Sequence, residues 1–275
     1  MTTTTHKKLS PTAFVEWKVL KPATTQQPMQ PLSKLPAAGI RALLFDLDGT
    51  LVDERLGASA YTSLHAVRDA GLRTIAVTGR PAGWCDLMVR WWPLDGVVGE
   101  NGAFSMRLVD GRLERSDWQL AEESGDHLAG LWDTVHAAFP DAQQAADQPW
   151  RAHDLAIDFA EEASLGLEWA SKVAEFVRAQ GARAAISSIH VNCWFGDWDK
   201  LVMSKRLLAE LGLLPEACVY VGDSPNDAPM FHAFELSVGV ASVTGYGDLL
   251  KHPPHYVTES DGGAGFAEVV AHITR

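Results

Sequence analysis

Two aspartates, Asp46 and Asp48, stand two residues apart where the apolar run of LLFDLDGTLVD (Leu43 to Asp53) ends. Asp-x-Asp-Gly is ordinary turn chemistry, because Asp tolerates tight turns and Gly supplies positive φ. The same two carboxylates can also serve as a catalytic pair, and the other polar chain segments decide between these readings. GDSPND places Asp223 after a second apolar run, with Asn226 and Asp227 in the first turn of the following helix. One acidic residue at a helix start is stabilised by the helix dipole and needs no special function. Two more carboxylates converging on Asp46 and Asp48 would repel each other by about 1 kcal/mol at ~4 Å in water, and by several times that at a protein surface. A bound cation is the simplest remedy, and a cluster of oxygen donors selects Mg2+.

The segment VTGRP offers the Thr78 hydroxyl and the Gly79 N–H beside a helix start, which is either an anion cradle or an ordinary strand-to-helix turn. Lys200, in GDWDKLVMSKRLL, begins a helix and either faces solvent or reaches the same edge. Together these residues make an anionic nucleophile, a second carboxylate, a metal site and donors for a dianion. That set suits phosphoryl transfer, where catalysis is largely positioning and charge neutralisation. Attack by a carboxylate splits a difficult hydrolysis into two displacements through an aspartyl-phosphate.

Such convergence requires particular elements. RALLFD (41–46), RTIAVTG (73–79) and ACVYVGD (217–223) are nearly continuous apolar runs, as parallel strands buried on both faces must be. Helical patterns follow each run, so the expected fold is α/β, a doubly wound parallel sheet whose site lies at the carboxyl ends of the strands. Residues 104–197 read differently: Asp110-Gly111 between alternating runs signals a hairpin, and a helix at about Leu120 to Ala138, a strand, a helix and strands follow. The expected organisation is a core of 41–103 and 198–275, an inserted α+β cap of 104–197, and an extension of 1–40. The extension carries about +4 and is rich in Thr, Gln and Pro, which suits a loose arm, although Ala13 to Leu20 alternates like a short strand.

Hydrophobic residues form 47% and charged residues 21% of the 275, a balance that implies a soluble globular body. A net charge of -12 disfavours nucleic acid and anionic lipid as partners. With no apolar run of membrane length and no secretory-type N-terminus, the expected location is the cytoplasm, as a monomer or homodimer. Cys85, Cys193 and Cys218 lack metal-ligand spacing, and are expected as reduced, mostly buried thiols.

From Ile40 onward the chain resembles the haloacid dehalogenase-like phosphatase superfamily. DLDGT (Asp46 to Thr50), Thr78 with Gly79, Lys200, and GDSPND look like its four motifs, in order and on the predicted strand ends. The resemblance implies that Asp46 is the nucleophile and that Asp48 protonates the leaving alkoxide and then activates water. It implies Mg2+ on the Asp46 carboxylate, the Asp48 carbonyl and Asp223, with Asp227 acting through water. Thr78, Gly79, Lys200 and Asn226 would hold the phosphoryl oxygens, and Thr50 would support the first loop. Only 32 residues separate Asp46 from Thr78, but 122 separate Thr78 from Lys200, so the cap lies in the second interval. That arrangement, with GENGA leading into it, looks like subclass IIB, which includes Cof-type, sucrose-phosphate, trehalose-phosphate and mannosyl-phosphoglycerate phosphatases and phosphomannomutases. The implied substrate is a small phosphorylated sugar or polyol. A phosphomutase and a non-catalytic sugar-phosphate binder are the alternatives. In the run SIHVNCWFG, alternation sets His190, Asn192 and Trp194 on the face opposite Val191, Cys193 and Phe195, where they become candidate substrate contacts together with Arg151.

Overall fold

The structure, a computed structural model, describes residues 5–6, 28–118 and 125–275. In chain order the principal elements are β1 (Thr5–His6), β2 (Gln30–Pro31), β3 (Ala42–Phe45), α1 (Ala58–Asp69), β4 (Arg73–Val77), α2 (Ala82–Trp91) and β5 (Gly96–Gly99). Then come β6 (Phe104–Val109), β7 (Arg112–Asp117), α3 (Gly125–Ala138), β8 (Gln143–Gln144), β9 (Leu155–Asp158), α4 (Leu167–Ala179), β10 (Arg183–Ile186) and β11 (His190–Trp194). The chain finishes with α5 (Lys200–Glu210), β12 (Cys218–Gly222), α6 (Ala228–Ala233), β13 (Leu236–Gly239), β14 (Tyr256–Val257) and α7 (Gly262–Ile273).

The large sheet runs β1-β7-β6-β5-β4-β3-β12-β13-β14-β2. From β5 through β2 its strands pair in parallel. Every residue of β3 and of β12 is buried, which explains their unbroken apolar runs. The period of two divides β3 between two cores: Leu43 and Phe45 pack with Val67, Cys85 and Phe266, whereas Leu44 packs with Met203, Leu207 and Phe231 on the other face. Each such side chain contributes about 2 kcal/mol when fully buried, so the centre of the sheet is a firm base for whatever its strand ends carry.

Two expectations about the outlying segments change. The hairpin is present, with Asp110 (φ 49°) and Gly111 (φ 73°) at its turn, but it belongs to the large sheet rather than to the insert. β6 pairs antiparallel with β5, opposing Met106 to Val97, and this buries Phe104 and Met106 in the body's own core. Turn chemistry identifies a hairpin but says nothing about the edge it joins. Residues 28–40, assigned to the extension, also pack on the body: β2 pairs with β14, and Leu35 and Ile40 are buried. The short strand expected at Ala13 to Leu20 lies outside the described residues, as does the first turn of the helix expected from about residue 120.

The second sheet, in the order β10-β11-β9-β8, is antiparallel. It is covered on one face by α3 and α4, through a core that includes Leu131, Val135, Ile157, Val173, Val177, Val191 and Cys193. Its other face lies over the carboxyl ends of β3 and β4. All three cysteines are buried and free. Among the described residues, no helix is long and apolar enough to cross a membrane.

Candidate active site

Asp46 follows β3 directly, and its backbone N–H continues the strand by donating to Val221. The chain then turns tightly: N–H groups of Thr50, Leu51 and Val52 all donate to the Leu47 carbonyl. Gly49 makes this turn possible, with φ 76° and with Asp223 Oδ2 only 2.3 Å from where a Cβ would stand. The Thr50 hydroxyl donates to Asp223 Oδ1 at 3.0 Å, joining the ends of the adjacent strands β3 and β12.

Asp227 is pulled into the same cluster by a capping box with Ser224. Its Oδ2 accepts from the Asp223 N–H at 3.0 Å, and its Oδ1 accepts from Lys200 Nζ at 2.7 Å and from the Tyr220 hydroxyl at 2.5 Å. Lys200 begins α5 behind the N-cap Asp199, and its Nζ also lies 2.9 Å from Asp46 Oδ2. Lys200 is 1% exposed and Asp227 0%, so the two side chains meet away from solvent.

One ammonium cannot balance three carboxylates. Burial, followed by the nearby charges of Asp227 and Asp48, pushes the Asp46 carboxyl up to about 7 despite Lys200. Burial and Asp46 push Asp223 well above the usual carboxylate range. Asp46, Asp223 and Asp227 each offer an oxygen within 4.8 Å of the others. Buried oxygen donors with surplus negative charge fit a hard divalent cation such as Mg2+. Asp227, with both oxygens already bonded to the chain, serves the cluster chiefly by charge and by holding Lys200.

Asp48 points away from this cluster. Arg80 grips it as a fork, Nε donating to Oδ2 at 2.9 Å and Nη2 to Oδ1 at 2.7 Å. The same guanidinium reaches the inserted sheet's connections, with Nη1 3.1 Å from Asp147 and Nη2 2.7 Å from Glu161. Glu161 also pairs with His190 Nε2 at 2.8 Å. The Ser188 hydroxyl donates to the Asp48 carbonyl at 3.2 Å. Behind this seam Glu100, with no solvent exposure, accepts N–H groups of Ala82, Ala152 and His153 and so ties the insert to the body.

The structure thus brings together most of the residues expected from the sequence. Asp46, Asp48, Gly79, His190, Asn192 and Asn226 line one small cavity, together with Arg80. Its volume of about 10 Å³ is room for roughly one water molecule. Thr78 is buried, with its Oγ1 accepting from the Arg80 N–H at 2.9 Å. Two candidates take other places. Trp194 stacks on Trp198 within the body's core, its indole N–H donating to the Trp198 carbonyl. Arg151 is enclosed by Asp147 and Asp154 and donates to the Gly79 carbonyl at 2.8 Å, acting as a bridge between insert and body. Sequence reasoning alone passes over Arg80, Glu161 and Glu100. Their one signal is adjacency, Arg80 to the Thr78-Gly79 pair and Glu100 to the entrance of the insert.

Comparison with known proteins agrees with this geometry. The sequence model of the haloacid dehalogenase-like hydrolases matches residues 175–270, a stretch containing Lys200 and GDSPND. A phosphoglycolate phosphatase of Methanothermobacter thermautotrophicus is 28% identical over 236 residues, covering 84% of this chain and 97% of its own length. Among solved structures, protein 0175 of Thermoplasma acidophilum superposes with a TM-score of 0.68 at 18% identity, covering 85% of this chain and 98% of that one. A subclass IIB sugar phosphatase of the haloacid dehalogenase superfamily gives a TM-score of 0.59 at 16% identity, covering 84% and 98%. With its motifs gathered at the strand ends of an α/β fold shared with that superfamily's solved structures, the chain is similar to the haloacid dehalogenase-like hydrolases, whose sequence model its residues 175–270 match.

Proposed function

We propose that the chain is a Mg2+-dependent phosphatase that hydrolyses a small phosphate ester through an aspartyl-phosphate on Asp46. The observation that carries this reading is the buried meeting of Asp46, Asp223, Asp227 and Lys200 at the ends of β3 and β12, with Asp48 two residues beyond the nucleophile. An Asp46 oxygen attacks phosphorus and the bond to the leaving oxygen breaks. Asp48 gives its proton to that oxygen and then takes one from the water that displaces Asp46 from phosphorus, releasing phosphate. Lys200, Thr78, the Gly79 N–H and Asn226 hold the phosphoryl oxygens. Mg2+, held by Asp46 and Asp223 with Asp227 beside them, supplies the charge neutralisation that lets an anionic nucleophile approach a dianion.

The relatives point to leaving groups from glycolate to a sugar, and His190 on β11, which lines the cavity, is the proposed contact for them. A cavity of about 10 Å³ admits no ester, so the insert lifts for substrate entry and Arg80 releases Asp48. The direct test is phosphate release from phosphoglycolate, hexose phosphates and polyol phosphates with Mg2+, with chelator and with Asp46→Asn. Turnover that depends on both Mg2+ and Asp46 is expected. Full activity in Asp46→Asn, or no release from any ester, overturns the reading.

A further inference from the structure

Asn101 has no part in the chemistry above, yet it is built into the same site. It lies in the turn between β5 and β6 with φ 54° and ψ 28°, the left-handed region that Asn and Gly tolerate best. The turn is wedged against the start of α5: a Cβ on Gly102 would lie 2.0 Å from the Asp199 carbonyl oxygen. Asn101 is 2% exposed. Its orientation follows from its neighbours. The Ser224 hydroxyl donates to Asn226 Oδ1 at 2.8 Å, which turns the Asn226 amide nitrogen towards Asn101 Oδ1 at 3.4 Å. Asn101 Nδ2 is left as a buried donor with no partner. Leaving such a donor unmatched costs about 1–3 kcal/mol, which a structural role does not recover.

That donor faces Gly79. A Cβ placed there would lie 3.2 Å from Asn101 Nδ2 and 3.2 Å from Asn192 Nδ2. Arg151 Nη1 donates to Asn192 Oδ1 at 3.5 Å, so Asn192 also presents its nitrogen. Two amide donors, one on the body and one on the insert, converge over a residue with no side chain, beside the cavity above Asp46.

We infer that Asn101 donates a hydrogen bond to an oxygen of the bound phosphoryl group, with Asn192 closing on the same group when the insert comes down. This rests on the phosphatase reading and extends its phosphate-binding set to a residue outside the four motifs. It also explains why the left-handed turn carries a side chain, when glycine would satisfy the backbone alone.

The test uses inorganic phosphate as the probe, measured by calorimetry on the Mg2+-loaded protein and as an inhibitor of p-nitrophenyl phosphate hydrolysis. Asn101→Gly keeps the backbone conformation and removes the donor. Asn101→Asp keeps the oxygen that accepts from Asn226 and also removes the donor. Loss of one hydrogen bond to a charged oxygen is expected to weaken phosphate binding roughly 10- to 100-fold in the Gly variant, and at least as much in Asp, with the melting temperature of the Gly variant held. Phosphate affinity within about twofold of wild type in the Gly variant overturns the inference. So does wild-type affinity in the Asp variant, because Asn101 then serves only as the acceptor that orients Asn226. Failure of the wild-type protein to bind phosphate or hydrolyse any ester is a separate result that sinks the proposed function itself.

Discussion

The body and the seam each bury a cluster of charges, and they pair it in different ways. At the ends of β3 and β12, three carboxylates share one ammonium, and burial, followed by the neighbouring negative charge, drives Asp46 and Asp223 towards protonation. At the seam, Arg80 is divided among Asp48, Asp147 and Glu161, and Arg151 between Asp147 and Asp154. There the hydrogen bond from His190, with those of Arg80, holds Glu161 down at about 2. The first cluster is short of positive charge and sits at the ends of two fully buried strands, as a site for a cation and a nucleophile should. The second sets two guanidiniums among four carboxylates and joins body to insert, so under the proposed opening it would act as a latch. A lone ammonium among carboxylates marks the chemistry, and forked guanidinium pairs that span two layers mark the closure.

The largest effect expected is on the body cluster. Asp46→Asn removes the nucleophile, so phosphate release should fall by roughly 10⁴-fold or more in a steady-state assay. In metal-free protein the same change should not destabilise the fold, because it removes one of three crowded carboxylates; a loss of melting temperature would break the proposed contrast. Arg80→Ala attacks the seam instead. It leaves Asp48 without its cation and takes one partner each from Asp147 and Glu161, which keep Arg151 and His190, and the urea midpoint should report a loss of about 3 kcal/mol. Glu161→Gln should cost about 1 kcal/mol, because that side chain is 29% exposed and solvent screens it.

Mg2+ should act on the body alone. At a hundredfold excess over its dissociation constant the melting temperature should rise by about 5 °C or more, in wild type and in Glu161→Gln equally. An increase confined to protein with an intact seam would place the cation elsewhere.

The smallest expected effect is the pH dependence of stability, whose sign differs between the clusters. Asp46 binds its proton more tightly folded than unfolded, so metal-free stability from this group is present at low pH and is lost as pH rises from about 4 to about 7. Glu161 binds its proton less tightly folded, so its contribution is present above about 4.5 and is lost as pH falls towards about 2. Melting curves of Asp46→Asn and Glu161→Gln against wild type should flatten opposite limbs of the profile. Mg2+ should offset the loss on the upper limb, since it binds the deprotonated carboxylates.

Much of the site is legible in the linear chain because its residues stand at strand ends. A buried parallel strand announces itself as an apolar run, and the polar residue that ends the run is placed at the sheet's edge by that fact alone. Asp46, Thr78 and Asp223 are found this way, and Lys200 by the helix it starts. Short strands such as β5 and β13 are not, since glycine interrupts the apolar run of each. The alternation in β11 correctly turns Val191 and Cys193 into the insert's core, but it cannot separate Asn192, which lines the cavity, from Trp194, which packs on Trp198. That distinction depends on what lies opposite each residue, and the opposing surface is a different part of the chain.

By itself the sequence determined the chemistry: which carboxylates, amides and cation are available, and on which strand ends they stand. It could do so because apolar runs, turn glycines and helix starts act over a few residues. Only the tertiary structure decided that Arg80 joins Asp48 to Asp147 and Glu161, that the hairpin extends the body's sheet, and that Asn101 faces Gly79 with a free donor. Those outcomes depend on contacts between segments tens of residues apart, set by which surfaces pack together, and no local pattern specifies the partner.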